Sequence, residues 1–508
     1  MSKKFAIIDL GSNSVRMIIV KIYGNGIYKL IEEVKEMVRL SEKMGEERIL
    51  KQEPIDRTIY ALKLFKSLIR AHKANETFCI ATGAVRSAKN QKEFLQKVKE
   101  ETGFIFDVIS GESEGYYDYL GVMNTIHVSD CIIIDIGGAS TELVWVENRK
   151  LKEVVSIPFG AVLLTEKFIG KNKYNLEKLE KLEKFMLNKL ENISWLKKVN
   201  YLPIVGVGGS IRTLAKVHRK KIHFPIQKIH NYQMNHEEVT SIYNMVTTCK
   251  PKDRRNIPGI KKERADIIVG GLAPAKVLMD YIKAKELIIS GNGLREGVFF
   301  KNYLSNRGYK ENVVEDVLKS RVENIMKRYD TNMEHSYQVQ RLALCLFDEI
   351  KEIHKLGDWE RKLLAVSALL HDIGVYVDYY NHHQHGFYLV LNSRIYGLTN
   401  KELLICAFLV GMHRNIEFKG NWKEYHKLLD KKDYEKIKKL SLFLRMSEML
   451  DRNEYGSVKD LKCHITEDRV KILLKTDKKV ELEVSAAMKS EKDFQKCFKK
   501  EMCIIQEA

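Results

Sequence analysis

Residues 5–14 read FAIIDLGSNS and residues 131–140 read CIIIDIGGAS. In each, an apolar run ends on an aspartate and turns through Gly, Ser or Asn. A second β-branched run follows, Val15–Val20 in the first case and Thr141–Val146 in the second. The pattern predicts strand, tight turn, strand. Both turns follow Asp-x-Gly-(Ser/Gly)-x-Ser and lie 126 positions apart (135 minus 9), the spacing of two similar domains rather than of neighbouring hairpins. The chemistry of the turns suits phosphate. Glycine lets the backbone approach an anion closely, and successive N–H groups with Ser or Asn side chains make an anion-holding concavity. The candidate donors are Gly11, Ser12, Asn13 and Ser14 in the first turn and Gly137, Gly138 and Ser140 in the second. Asp9 and Asp135 end the two strands, where a carboxylate can hold a hard divalent cation opposite the same phosphates.

Two further glycine loops follow apolar strands. LPIVGVGGS, residues 202–210, leads into a helix predicted over Ile211–Val217, so Gly208, Gly209 and Ser210 sit where a helix N-terminus presents free N–H groups. IISGNGLREG, residues 288–297, is the fourth. Four such loops argue for one shared cleft.

The chain of 508 residues is long enough for two to four domains. Its 44% apolar and 30% charged composition is that of a folded protein without low-complexity segments. Apolar runs such as Leu363–Leu370 are far shorter than the roughly 20 residues of a membrane span. The N-terminus lacks the long apolar region of a signal peptide, so a cytoplasmic protein without membrane attachment is expected. Eight cysteines with no CxxC pair read as reduced, mostly buried thiols. A net charge of +19 favours polyanionic partners, yet no aromatic stacking motif or DNA-reading pattern is present, so no specific nucleic-acid partner is expected.

The motifs IDLGSNSVR, ATGAVRSAKN, ISGESEGYYDYLGV, IDIGGASTELVWV, PFGAVLLTEKF, GVGGSIRTLAKV and SGNGLREGV, in this order over residues 5–300, resemble those of the exopolyphosphatase/guanosine pentaphosphate phosphohydrolase family. The resemblance implies an α/β fold: two ribonuclease H-like domains of the actin, sugar-kinase and heat-shock ATPase superfamily, over 1–125 and 126–302, with hydrolysis in the cleft. It places the catalytic base of the family's acidic motif on Glu114. The preceding family Glu is Ser113 here and the usual Ala is Gly115, leaving Glu112 as the other acidic candidate. It places a phosphate-contacting arginine on Arg86 and metal-binding carboxylates on Asp135 and Glu142, beside Asp9, for Mg²⁺ or Mn²⁺. The expected substrate is inorganic polyphosphate, with guanosine pentaphosphate as the alternative. An actin-like nucleotide switch without catalytic purpose is the other class of reading. A homodimer joined through the C-terminal domain is implied by resemblance as well.

Beyond about Asn302 the glycine loops stop. His335, Val339, Leu342 and Leu346 recur at helical spacing, as do Leu363, Val366 and Leu370, which predicts a helical domain over 303–455. The order His335, His371-Asp372 and Asp451 resembles the metal-dependent HD phosphohydrolase superfamily and implies a second divalent-metal site on those four residues. His382, His385 and His413 add imidazoles to the region. Residues 456–508, with strand-like runs at Val470–Leu474 and Val480–Val484, read as a hairpin and a final helix.

Overall fold

The structure, a computed structural model, describes residues 2–506 except 46, 171–175, 415–417 and 419. It divides into two units, 1–317 and 318–508. The first contains two sheets built on the repeat. Strand β1 (Lys3–Leu10) is central in the first sheet. It is flanked by antiparallel β2 (Val15–Ile22) and parallel β4 (Glu76–Ala81), with β3 (Tyr28–Glu36) and β5 (Asp107–Val108) at the edges. In the second sheet β6 (Cys131–Ile136) takes the central place. Beside it lie antiparallel β7 (Thr141–Glu147) and parallel β9 (Ile204–Val207), then β8 (Lys150–Ile157) and β11 (Glu286–Ile289); β10 (Tyr232–Asn235) is added outside β11. The central strands are nearly continuous apolar runs because helices cover both of their faces.

The repeat is structural down to individual atoms. Asp9 pairs across the strands with Arg16 and Asp135 with Glu142. Each turn is closed by its Gly N–H donating to its Ser carbonyl, Gly11 to Ser14 at 3.2 Å and Gly137 to Ser140 at 3.0 Å.

Helices Gln52–His72 and Gln91–Thr102 pack on the first sheet, and Gly208–Lys221 and Ile268–Tyr281 on the second. Two other helices are exchanged between the halves. Helix Gly111–Met123, which follows β5 of the first sheet, buries Tyr119, Leu120, Val122 and Met123 against Cys131, Ile133, Val144 and Val146 of the second. Helix Leu294–Ser305, which follows β11, returns to the first sheet. There its Phe299, Phe300 and Tyr303 ring Tyr28 at 5.0, 5.9 and 5.0 Å, and Arg295 meets Glu33 at 3.2 Å. The exchanged helices touch at glycine. A Cβ on Gly297 would lie 1.8 Å from the Tyr117 carbonyl oxygen, and one on Gly121 would lie 2.4 Å from that of Gly293.

The second unit is helical through residue 449, as the periodicity predicts, and ends in a three-stranded sheet. Here the structure corrects the expected ending. The hairpin is β12 (Val458–Ile465) with β13 (Arg469–Thr476), while Val480–Val484 falls mostly in helix Glu481–Met488. Helix Glu491–Phe498 follows, and the described chain closes on a strand, β14 (Glu501–Gln506), parallel to β13. The alternation of VELEV mimics a strand, but the following Ala-Ala-Met are helix formers and Glu481 and Glu483 complement the dipole of a first turn. All eight cysteines are free, three of them buried and five half-buried, so the thiols are less buried than expected. No helix among the described residues is long and apolar enough to cross a membrane.

Candidate active site

The two Asp-Gly-Ser turns and the Gly208–Gly209 corner face one cleft in the first unit, lined by Asp9, Gly11–Ser14, Gly137, Gly138, Ser140 and Glu114. Backbone crowding sets several of these identities. Gly208 has φ +92°, and a Cβ there would press to 2.5 Å from Asp135 Oδ1. Ser12 Oγ accepts from the Ala84 N–H at 3.1 Å, fixing the ATGAVR loop beside the first turn. Ser210 is not part of the lining: its hydroxyl is buried against Gly271.

Glu114 lies in the first turn of the exchanged helix Gly111–Met123, whose Ser110 cap accepts from the Ser113 N–H at 3.1 Å. Ser113 therefore serves the cap rather than the cleft. Glu112 is exposed, whereas Glu114 is buried and lines the cleft. Arg86 Nη1 donates to Glu114 Oε2 at 3.0 Å and to the Ile109 carbonyl at 2.9 Å, while Nη2 reaches Ser140 Oγ at 3.4 Å and lies 3.8 Å from Glu142 Oε1. Glu142 Oε1 also accepts from Ser156 Oγ at 2.8 Å.

Burial pushes the Glu114 carboxyl well above the usual range and Glu142 adds to it, with Arg86 pulling the other way. Burial likewise lifts Asp9, carries Asp135 up to about 6, and, with the Asp135 charge, carries Glu142 up to about 7. Asp135 Oδ1 and Glu142 Oε2 are buried without a hydrogen-bond partner. Orphaned carboxylate oxygens beside phosphate-type turns fit a hard divalent cation. Asp9, Asp135 and Glu142 do not gather within 4.8 Å of one another, however: among the described residues such triplets occur only in the second unit.

Sequence reasoning overlooked Asp118. It lies one helical turn beyond Glu114, is fully buried, and both of its oxygens lack partners. Burial, then the charges of Asp135, Glu114, Glu142 and Asp9, push its carboxyl well up. The i, i+4 spacing of Glu114 and Asp118 was the available signal. A group of arginines was also overlooked. Arg16, Arg212 and Arg295 stand two residues after Ser14, Ser210 and Gly293, and they cluster around Asp9 and Asp135, Arg295 buried and the other two half-buried. Burial, then Arg212 and Arg295, bring Arg16 down to about 9, and burial with Arg16 brings Arg264 down to about 10.

This cleft has counterparts among known proteins. The Ppx/GppA phosphatase family matches residues 18–306, and domain III of Ppx/GppA phosphatases matches residues 317–492. The chain belongs to the Ppx/GppA phosphatase family. Its fold is shared with the Aquifex aeolicus member, 32% identical over 60% of this chain and 99% of that one, with a TM-score of 0.52. It is also similar in fold to a crystallised exopolyphosphatase from Cytophaga hutchinsonii, 21% identical over 60% of this chain and 98% of that one, with a TM-score of 0.55. This Ppx/GppA protein is a phosphohydrolase of the exopolyphosphatase or GppA type.

The domain III region of this Ppx/GppA protein carries the second group of predicted residues, and the structure brings them together. His335 Nε2 lies 3.3 Å from His371 Nε2, and these atoms lie 3.9 and 3.5 Å from Asp372 Oδ2. Asp451 stands behind them: its Oδ2 holds His335 Nδ1 at 2.8 Å and its Oδ1 accepts the Gly456 N–H at 2.9 Å. His382 and His413, noted in the sequence but not assigned, close on the other side of Asp372. His385 is in neither group.

Proposed function

We propose that the cleft of the first unit removes the terminal phosphate of inorganic polyphosphate. What favours polyphosphate over guanosine pentaphosphate is a cavity that shares Asn13 and Ile267 with the cleft. It is lined by Arg39, Lys43, Lys252, Arg254, Arg255 and Lys262, against four acids. No aromatic ring stands in that lining to stack a guanine, so the surroundings suit a continuing anionic chain.

In this reading the turn amides of Ser12–Ser14 and Gly138, in turns that Gly11 and Gly137 close, donate to the oxygens of the terminal phosphate, and positioning supplies most of the catalysis. Asp9, Asp135 and Glu142, with Asp118 beside them, would hold Mg²⁺ or Mn²⁺ directly or through water, and the bound ion would neutralise charge on the phosphate oxygens. Arg86 fixes the Glu114 carboxylate through the 3.0 Å contact. Glu114 accepts the proton of the attacking water as the water oxygen bonds to the terminal phosphorus. The bridging P–O bond breaks, and the shortened chain leaves with its electron pair. General-base action of this kind contributes about 10²–10⁴-fold. A cytoplasmic setting accords with eight free cysteines. The homodimer rests on resemblance, and light scattering tests it.

The deciding experiment is phosphate release from long-chain polyphosphate and from guanosine pentaphosphate with Mg²⁺, in wild type and Glu114→Gln. Release from polyphosphate that collapses in the variant supports the reading. Preferential turnover of guanosine pentaphosphate assigns the nucleotide substrate instead.

A further inference from the structure

The four imidazoles of the second unit are aimed. His371, His382 and His413 each engage a backbone carbonyl through Nδ1, those of Ala368, Tyr379 and Val410, at 2.8, 2.8 and 2.6 Å, and His335 engages Asp451. An imidazole whose Nδ1–H is so used presents a lone pair on Nε2. All four Nε2 atoms converge on the two oxygens of Asp372. On one side stand His335 and His371, as described. On the other, His382 Nε2 lies 3.1 Å from His413 Nε2 and 3.3 Å from Asp372 Oδ1, and His413 Nε2 lies 3.7 Å from that oxygen. Lone pairs facing one another at such distances repel unless a cation sits among them. Ligands at 2.0–2.2 Å from a common ion are about 3.0–3.5 Å apart in octahedral or tetrahedral geometry, close to the spacing of both triplets.

We propose that this unit holds two divalent transition-metal ions bridged by Asp372, one on His335 and His371 and one on His382 and His413, and that the pair hydrolyses a phosphate ester of a nucleotide. Asp451 is a positioning residue rather than a ligand, since both its oxygens are engaged. Three protein ligands per ion leave positions for water and substrate, the usual requirement of a hydrolytic site. His335, Asp372 and His382 open onto a cavity of about 520 Å³, within the range of small-molecule sites. Arg414 and Arg452 line it, and Arg452 pairs with no carboxylate among the described residues. Tyr376 and Tyr379, each 62% exposed, stand at the same cavity, Tyr376 edge-on to Tyr329 and Tyr379 beneath the Arg414 guanidinium, and their exposed ring surface offers a platform for a base. In the reaction the oxygen of water bonds to phosphorus as the ester P–O bond breaks. The alcohol oxygen leaves with the electron pair and takes up the proton released by the water.

The test uses the full chain, stripped of metal and titrated with Mn²⁺, read by metal content and electron paramagnetic resonance. Wild type is expected to show a spin-coupled Mn²⁺ pair, which an ion in the cleft of the first unit does not give. Asp372→Asn should abolish the coupling and bind two fewer ions. His413→Gln should lose one ion and leave the other uncoupled. Circular dichroism of the apo variants checks folding, and His382→Gln, on another helix, replaces Asp372→Asn if that variant does not fold. An uncoupled signal in wild type, or unchanged metal content in the variants, overturns the proposal. Hydrolysis of a 5′-mononucleotide is then followed in the Glu114→Gln background. It should persist there and fall on the order of 100-fold on losing a ligand. A coupled pair without turnover, or turnover that vanishes with Glu114, overturns the hydrolytic role.

Discussion

Gly297→Ala tests whether the exchanged helices position the base. Helix Leu294–Ser305 lies so close to helix Gly111–Met123 that a new Cβ would sit 1.8 Å from the Tyr117 carbonyl oxygen and 2.6 Å from its carbon. Both are backbone atoms, so no rotamer relieves the overlap. Ordinary contact begins near 3.4 Å, so the helices must part by about 1.5 Å. Overpacking of this kind costs about 1–3 kcal/mol, occasionally more, a fall in Tm of several degrees. Glu114 rides on the displaced helix one turn away, and its 3.0 Å contact with Arg86 goes with it. A misplacement of about 1 Å costs on the order of 10²-fold in rate, so kcat for phosphate release should fall by that factor. The assays are steady-state phosphate release and thermal unfolding on the same preparation. A variant that melts like wild type and turns over at the wild-type rate would refute the close approach and the argument built on it.

Further expected outcomes concern the cleft. Asp118→Asn should raise the apo Tm at neutral pH, because a buried carboxyl with a raised folded-state pKa costs stability increasingly as pH climbs above its unfolded value. The same variant should bind Mg²⁺ about 10-fold more weakly by calorimetry if Asp118 helps hold the ion. Arg86→Ala removes the charge that opposes burial and Glu142 at Glu114. Since Glu114 must be ionised to accept a proton, the acid limb of the kcat/KM profile, already above the ordinary carboxylate range, should move to higher pH. Orthophosphate or sulfate should raise the apo Tm, because an anion relieves the mutual repulsion of Arg16, Arg212 and Arg295; Arg212→Ala should weaken that rise.

The two Asp-x-Gly turns were legible because they are local: an apolar run, an aspartate and a glycine turn carry their geometry with them. Glu114 and Arg86 became legible only through the resemblance, since neither has a local pattern that separates it from a surface charge. Asp118 was not legible, although it shares a helical face with Glu114, because its meaning lies in Asp135, which the fold supplies from another element. The exchange of helices escaped for a related reason. Helix Gly111–Met123 is buried over most of its length from Glu114 onward, so it shows no clean apolar stripe to indicate which sheet it covers. In the second unit, His371 and Asp372 adjoin in sequence, but His382 and His413 are brought opposite them only by the packing of separate helices.

The exchanged helices also have a mechanical consequence. Each half of the first unit is clasped by an element the other half delivers, so drawing the halves straight apart would strip a helix from its sheet. Swivelling about the close backbone approach of Gly121, Gly293 and Gly297 would leave both clasps in place, with contacts such as that of Lys301 with Tyr117 rearranging between the two helices. The turn at Gly11 belongs to the first sheet and the turn at Gly137 to the second. A motion of that kind would carry the two turns toward and away from one another and open a path for phosphate between them.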